Sequence, residues 1–328
     1  MNFLKNILTT KVNKMENFHK YLKIRTLGHD ENKDIFLDPE DEICTQEKFD
    51  GCNLRYTFLD TNIIFGSRTQ QLTSDIGEDT NVAKNFRRCL DYIREKVSKL
   101  SQEYIKGMNG FIFYGECMVK HSIEYNWEVI PPFIGFDIYK IKDGVLLRWD
   151  IAQAIFHEMG FTFANIINVC KAKDIKTISE DDVPISKYPP LSNPTQKAEG
   201  IVLKNSSKQI YAKFVRTEFK EINANTFGGS PKYEESDTGK FCASYCTNPR
   251  IDKIIFKLLD EGHELDLPLM KYLPTQVYRD IMEEHGEDLL YSKKTIDFRK
   301  IKDIVTKRCL SVLRQVITNN SFNPIYKK

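Results

Sequence analysis

Apolar positions in the first two-thirds of the chain fall in short runs bounded by turn residues, the pattern of strands with occasional helices. In the last third they recur every three or four residues, the pattern of amphipathic helices. Ile43 to Phe49 reads as a strand, and Leu54–Phe58 and Ile63–Phe65 flank the turn Asp60-Thr61-Asn62 as a hairpin. Val82, Phe86, Cys89, Ile93, Val97 and Leu100 follow helical spacing and predict one amphipathic helix. Phe111 to Val119 and Phe133 to Tyr139 are aromatic-rich strands, and Asp150 suits the cap of a short helix ending near Gly160. Asp181 to Gln196 carries four prolines and reads as a loop. Ile201–Leu203 and Ile210–Val215 predict a second hairpin.

The pattern changes after Phe227-Gly228-Gly229-Ser230-Pro231, which runs into the polar stretch Glu234 to Gly239. Beyond it Ile251, Ile254, Ile255, Leu258 and Leu259 form a helical stripe, with Pro249 at its start and Gly262 past its end. Phe298, Ile301, Val305, Val312 and Val316 form a longer stripe. The expected architecture is α+β. Antiparallel sheets flanked by helices occupy residues 1–226, a linker 227–240, and a helical domain 241–328.

Composition narrows the class without naming a function. The 328 residues, 41% hydrophobic and 29% charged, suffice for about two domains with cores of their own. No apolar run approaches the roughly 20 residues that span a bilayer, and no small-residue cleavage site follows the apolar patch Phe3 to Leu8. Transmembrane and collagen-like readings drop out, and a secretory signal is not expected. The eight cysteines are scattered, as reduced thiols of an intracellular, cytoplasmic protein would be, and the pair Cys242 and Cys246 lacks the companions of a zinc set. The net charge of +2 singles out no partner. Between Lys293 and Arg314, however, eight Lys/Arg stand against Asp297 and Asp303, a face that could hold a phosphate backbone or simply be solvated surface.

The most informative segment is Glu47-Lys48-Phe49-Asp50-Gly51-Cys52-Asn53-Leu54-Arg55. A lysine at a strand end, followed by a tight turn, can sit at the floor of a pocket, and Gly51 lets a phosphate approach the backbone. The amine is nucleophilic only when deprotonated, and its ordinary pKa is about 10.4. Desolvation or nearby cations would have to lower it. Alone, Lys-x-Asp-Gly is equally the pattern of a charged surface hairpin. Other pieces then follow in order: Phe65-Gly66-Ser67-Arg68-Thr69, Tyr114-Gly115-Glu116, Phe136-Asp137-Ile138-Tyr139, Glu199-Gly200-Ile201-Val202-Leu203-Lys204 and Ala212-Lys213-Phe214-Val215. Each sets a polar or charged residue at the edge of an apolar strand, as a sheet-lined nucleotide pocket does.

In this order the segments resemble motifs I, Ia, III, IIIa, IV and V of the covalent nucleotidyltransferases, a superfamily of ligases and capping enzymes with an ATP-grasp-like ligase domain. The resemblance spans Glu47 to Val215, about half the chain. Asn53, in place of the arginine usual in DNA ligases and capping enzymes, resembles ATP-dependent RNA ligases, and Asp50 leans toward their archaeal-type homodimeric branch. The helical C-terminal segment also resembles RNA ligases, since DNA ligases and capping enzymes carry an OB domain there. The resemblance implies that Lys48 takes AMP as a phosphoramidate, that Glu47 lies by the adenine edge, and that Phe136 stacks on its face. It implies that Arg68 contacts ribose or phosphate, and Asn53 the phosphate in transfer. Glu116 and Glu199 would engage ribose or orient hydrated Mg²⁺ or Mn²⁺, and Lys204 and Lys213 would neutralise phosphate. One departure is Val215, where many members have a second lysine, although Arg216 follows. The implied function is joining of RNA 5′-phosphate and 3′-hydroxyl ends with ATP, with no membrane partner and a homodimer through the C-terminal helices. The alternatives are a DNA ligase, a capping guanylyltransferase or a non-catalytic RNA-binding relative.

Overall fold

The computed structural model describes residues 18–68, 70–80, 84–119, 123–216, 236–290 and 295–319. In chain order these begin with β1 (Arg25–Thr26), β2 (Glu42–Lys48), β3 (Cys52–Leu59), β4 (Asn62–Ser67), α1 (Lys84–Val97) and α2 (Gln102–Gly107). There follow β5 (Phe111–Cys117), β6 (Phe133–Lys140), β7 (Val145–Leu146), α3 (Trp149–Glu158), β8 (Thr162–Phe163) and β9 (Ile166–Lys171). The chain continues through β10 (Gly200–Asn205), β11 (Ile210–Val215), α4 (Asp237–Tyr245), α5 (Asn248–Asp260), α6 (Leu273–Leu290) and α7 (Phe298–Asn319). It divides into two compact units, one formed by most of the chain up to Phe214 and the other chiefly by residues from Val215 onward.

Two sheets build the first unit. One runs β1-β11-β10-β2-β9, and the other β4-β3-β5-β6-β7 with β8 alongside β6. The β3–β4 and β5–β6 pairs are antiparallel, whereas β1–β11 and β6–β8 are parallel. Asp60 closes the β3–β4 turn at φ 56°, a left-handed conformation that Asp tolerates better than most residues. Two registers place the later chemistry. Gly200 of β10 lies opposite Lys48, and Glu116 of β5 lies opposite Asn53.

Strand alternation explains the core. Leu54, Tyr56, Phe58, Phe113 and Phe133 are buried in one cluster with Cys89, Leu90, Ile93 and Val97 of α1, Ile105 of α2, and Ala152 and Phe156 of α3. A separate cluster joins Ile112 and Tyr114 of β5 to Tyr211 of β11, so the two sheets meet through it. In the second unit Ile251, Ile254, Ile255 and Leu258 of α5 pack with Leu273, Val277 and Ile281 of α6 and with Ile301, Val305, Val312 and Val316 of α7. The two stripes read from the sequence are thus covered within this unit, except at Phe298, which is exposed.

Three local readings need amendment. Asp150 lies inside α3 and pairs with Arg148, which occupies the cap position without a side-chain cap bond. Strand β9 and helix α6 were not expected. Of the expected linker, 227–235 lies outside the described residues. Ser236 is the N-cap of α4, its side chain accepting from Gly239 N, so Asp237–Lys240 is helix rather than linker. Val82, expected to begin the helical pattern, and the basic pair Lys293 and Lys294 also lie outside the described residues.

Candidate functional site

Lys48 ends β2 at the turn into β3, and β10 brings Glu199 beside it. The Lys48 ammonium donates to Glu199 Oε2 at 2.5 Å, and both side chains are only partly exposed. On the other side of the turn Gly51 N donates to Glu116 Oε1 at 3.0 Å. A Cβ on Gly51 would fall 2.5 Å from the Cys117 carbonyl oxygen and 2.7 Å from Glu116 Cγ, so this turn requires glycine for close packing. The Tyr125 hydroxyl accepts from Asp50 N at 2.9 Å and anchors the turn from a third direction. Asn53 Oδ1 is buried without a hydrogen-bond partner. A buried unsatisfied oxygen costs stability unless something else meets it.

The electrostatics at Lys48 differ from the sequence expectation. Burial pulls its pKa down, but Glu199, Glu116 and Asp50 together outweigh burial, and the ammonium is held above its ordinary pKa. Burial pushes Glu199 up, while Lys48 and Lys213 pull against it. Lys213, on β11, is therefore near enough to Glu199 to act on its charge. The structure thus brings together Lys48, Glu116, Glu199, Lys213 and Asn53.

The other expected residues make their contacts with different partners. Lys204 is buried in an ion pair with Asp137 at 2.7 Å and donates to the Phe136 carbonyl at 2.8 Å. Its charge is spent inside the protein, whereas the resemblance assigned it to phosphate. The Phe136 ring is half-buried, 5.9 Å from the Lys204 ammonium. Glu47 is buried and tied to the proline-rich loop, its carboxylate accepting from Ser186 Oγ at 2.7 Å and from Lys187 N at 3.1 Å. Burial raises its pKa against those bonds. Arg68 is exposed past the end of β4, and its carbonyl accepts from buried Arg55 at 3.1 Å. Val215 is buried in β11.

Sequence reasoning passed over Asp137, Ser186, Tyr125 and Arg55 as working groups. Asp137 and Arg55 stood inside quoted motifs. A charged residue within an apolar strand was the available signal. Among the described residues no three of His, Cys, Asp and Glu gather as a metal cage. Glu116 and Glu199 nevertheless supply two carboxylates around one lysine, which matches the sparse donor set of a hydrated magnesium ion shared with phosphates. No helix among the described residues is long and apolar enough to cross a membrane.

The two sheets thus present a strand-end lysine between flanking carboxylates. Residues 41–221, more than half of the chain, match the family model described as RNA ligase, and the chain belongs to the RNA ligase family. Among solved structures it is similar to Naegleria gruberi RNA ligase with PPi, at 17% identity over 63% of this chain and 58% of that one, with a TM-score of 0.44. A mutant of that ligase with ATP and Mn matches at 16% identity over 62% and 58%, TM-score 0.45. A mutant with AMP and Mn matches at 16% over 62% and 57%, TM-score 0.42. The chain thus spans less than two-thirds of the Naegleria ligase it matches. Comparison with curated proteins gives no match.

Proposed function

We propose that the protein is an ATP-dependent RNA ligase of the archaeal type, joining 5′-phosphate and 3′-hydroxyl ends through AMP carried on Lys48. The observation that supports this reading best is the placement of Lys48 in a glycine turn against Glu199, with Glu116 bonded to the same turn. In the first step the Lys48 amine forms a bond to the α-phosphorus of ATP, and the bond to the pyrophosphate oxygen breaks. Glu199 accepts the ammonium hydrogen bond and is placed to take the proton. AMP then moves to the RNA 5′-phosphate, freeing Lys48. Attack by the 3′-hydroxyl releases AMP and seals the strand.

Glu116 and Glu199 would hold a divalent metal, which when bound supplies charge stabilisation to the phosphoryl oxygens. Lys213 adds positive charge beside Glu199. Asn53 would donate its amide Nδ2 to the phosphate in transfer, and its buried Oδ1 would accept from a bound water or another donor. Arg68 is the expected contact to ribose or phosphate. Glu47 holds the Ser186 loop at the adenine edge, and Phe136 offers a ring to the base. We assign Lys204 a positioning part, because it is closed on Asp137. A homodimer would draw on surfaces other than the buried parts of the two helical stripes, with Phe298 the stripe residue left exposed.

The test is to offer the purified protein labelled ATP or GTP, then matched RNA, DNA and mixed nicks with magnesium. Adduct from ATP and sealing that needs RNA at the 3′-hydroxyl side are expected, since a protein can read the 2′-OH. Adduct from GTP would mean a capping enzyme, equal sealing of DNA a DNA ligase, and no adduct a binding protein.

A further inference from the structure

The stretch from Phe18 to Ile24 carries no motif and forms no strand or helix, yet it packs on residues of β5, β6 and β11. Phe18, Tyr21 and Ile24 share an apolar cluster with Tyr114, Phe136 and Tyr211. The Tyr21 ring is tilted against Phe136 with centroids 4.9 Å apart. Its hydroxyl donates to Asp137 Oδ2 at 2.5 Å, while Asp137 Oδ1 takes the Lys204 ammonium at 2.7 Å. Lys204 in turn donates to the Phe136 carbonyl. These bonds form one line from Tyr21 to the backbone of the residue expected to meet adenine.

The location gives that line its consequence. A β-bulge interrupts the β5–β6 register between Tyr114 and Gly115. Tyr114 faces Asp137 and Gly115 faces Gly135, so Phe136 has no residue opposite it. A bulged residue is re-aimed and needs bonds from elsewhere to fix its direction. Lys204 supplies one to its carbonyl, and Lys204 and Asp137 are 2% and 1% exposed. A buried ion pair holds only when its remaining lone pairs are met. Tyr21 meets the second Asp137 oxygen. Burial, and then the Asp137 charge, pushes the Tyr21 phenol well above its ordinary pKa, so it remains a neutral donor.

We propose that Tyr21 is a positioning residue of the nucleotide pocket: through Asp137 and Lys204 it fixes the bulge that aims Phe136 at the base of ATP. The inference rests on the ligase reading in taking the ligand to be an adenine nucleotide. Tyr21 touches the base-facing wall, whereas the cluster around Lys48 faces the phosphates. Loss of its hydroxyl should therefore weaken recognition of the base and spare recognition of the phosphates.

The experiment compares full-length protein with and without Tyr21→Phe, each also carrying Lys48→Ala so that binding is read without chemistry. Calorimetry with ATP and with inorganic tripolyphosphate gives two affinities per chain. Loss of one hydrogen bond to a buried carboxylate should weaken ATP by about tenfold and leave tripolyphosphate unchanged. In chains that retain Lys48, the ATP concentration for half-maximal adduct formation should rise by a similar factor, with less change in the maximal rate. Tyr21→His, which keeps a ring and a donor, should recover part of the loss. Unchanged ATP affinity in Tyr21→Phe, or an equal loss for both ligands with no rescue by Tyr21→His, would overturn the proposal. If wild type binds ATP but forms no adduct, the ligase reading fails while the affinity ratio still decides the role of Tyr21. If it binds no ATP, both fail.

Discussion

At the scale of single residues, the site is governed by a lysine held protonated by its surroundings. The proposed chemistry needs the neutral amine, and Glu199, Glu116 and Asp50 favour the ammonium. A raised lysine pKa means that the reactive fraction grows as pH rises, so adduct formation should climb through the alkaline range. Replacing Lys48 by Ala should abolish the adduct, because the turn offers no second amine; AMP mapped by mass spectrometry to another lysine would remove Lys48 from its role. Glu199→Gln tests the proton balance. It should slow adduct formation roughly a hundredfold, since both the hydrogen-bond acceptor and a proposed metal ligand are lost. It should also move the rising limb to lower pH, because one of the charges that raises Lys48 is gone. A rate-versus-pH series on both proteins checks this, and a limb that stays in place would show that Glu199 does not hold the proton.

At the scale of elements, how much could be read depended on whether burial left a period in the sequence. β3, β5 and β6 were legible because their aromatic residues bury one face of a sheet. The α5 stripe was legible because Ile251, Ile254, Ile255 and Leu258 are all buried together. Helix α6 was missed although Leu273, Val277 and Ile281 are buried, because Pro274 opens it and Gly286 and several charges dilute its pattern. Edge strand β9 was missed because none of its residues is fully buried. Tyr21 escaped notice because its partner Asp137 lies 116 residues away, a relation that no local pattern records. α5 also holds an acid whose environment sequence could not show. Asp252 is half-buried, its Oδ1 has no hydrogen-bond partner, and burial raises its pKa to about 6. For an acid whose folded pKa exceeds its unfolded one, stability is fullest below the unfolded value and is lost as pH rises through the folded one. Asp252→Asn should therefore stabilise the protein above about pH 6, by about 1–3 kcal/mol, and make little difference below about pH 4. Thermal melts of both chains across that range give the answer, and parallel curves would mean that Asp252 is solvated.

At the scale of the whole molecule, the order of the motifs along the chain was legible and the division of labour was not. Every residue assigned to nucleotide chemistry precedes Arg216, and the family match ends at residue 221, ahead of the four C-terminal helices α4–α7. Sequence could place a helical segment there, but its apolar stripes left open whether a second subunit covered them. The packing of α5, α6 and α7 on one another covers them within the second unit, save for the exposed Phe298. Helix α7 carries a chiefly basic set of exposed side chains, Arg299, Lys300, Lys302, Lys307 and Arg314, with Asp303 among them. A chain ending at Glu235, just before the cap of α4, should therefore still form AMP on Lys48. It should join RNA ends far more slowly, because it loses cations suited to RNA phosphates. Each RNA phosphate that the protein no longer neutralises flattens the dependence of affinity on salt, by roughly 0.7 in the log–log slope for a single strand. The full chain should show the steeper slope, and the difference between the two slopes counts the phosphates held by the helices. RNA affinity measured across a salt series for both chains, with adduct formation as the check that the shortened protein is folded, decides the matter. Equal slopes and undiminished joining by the shortened chain would leave the helical unit a structural part only.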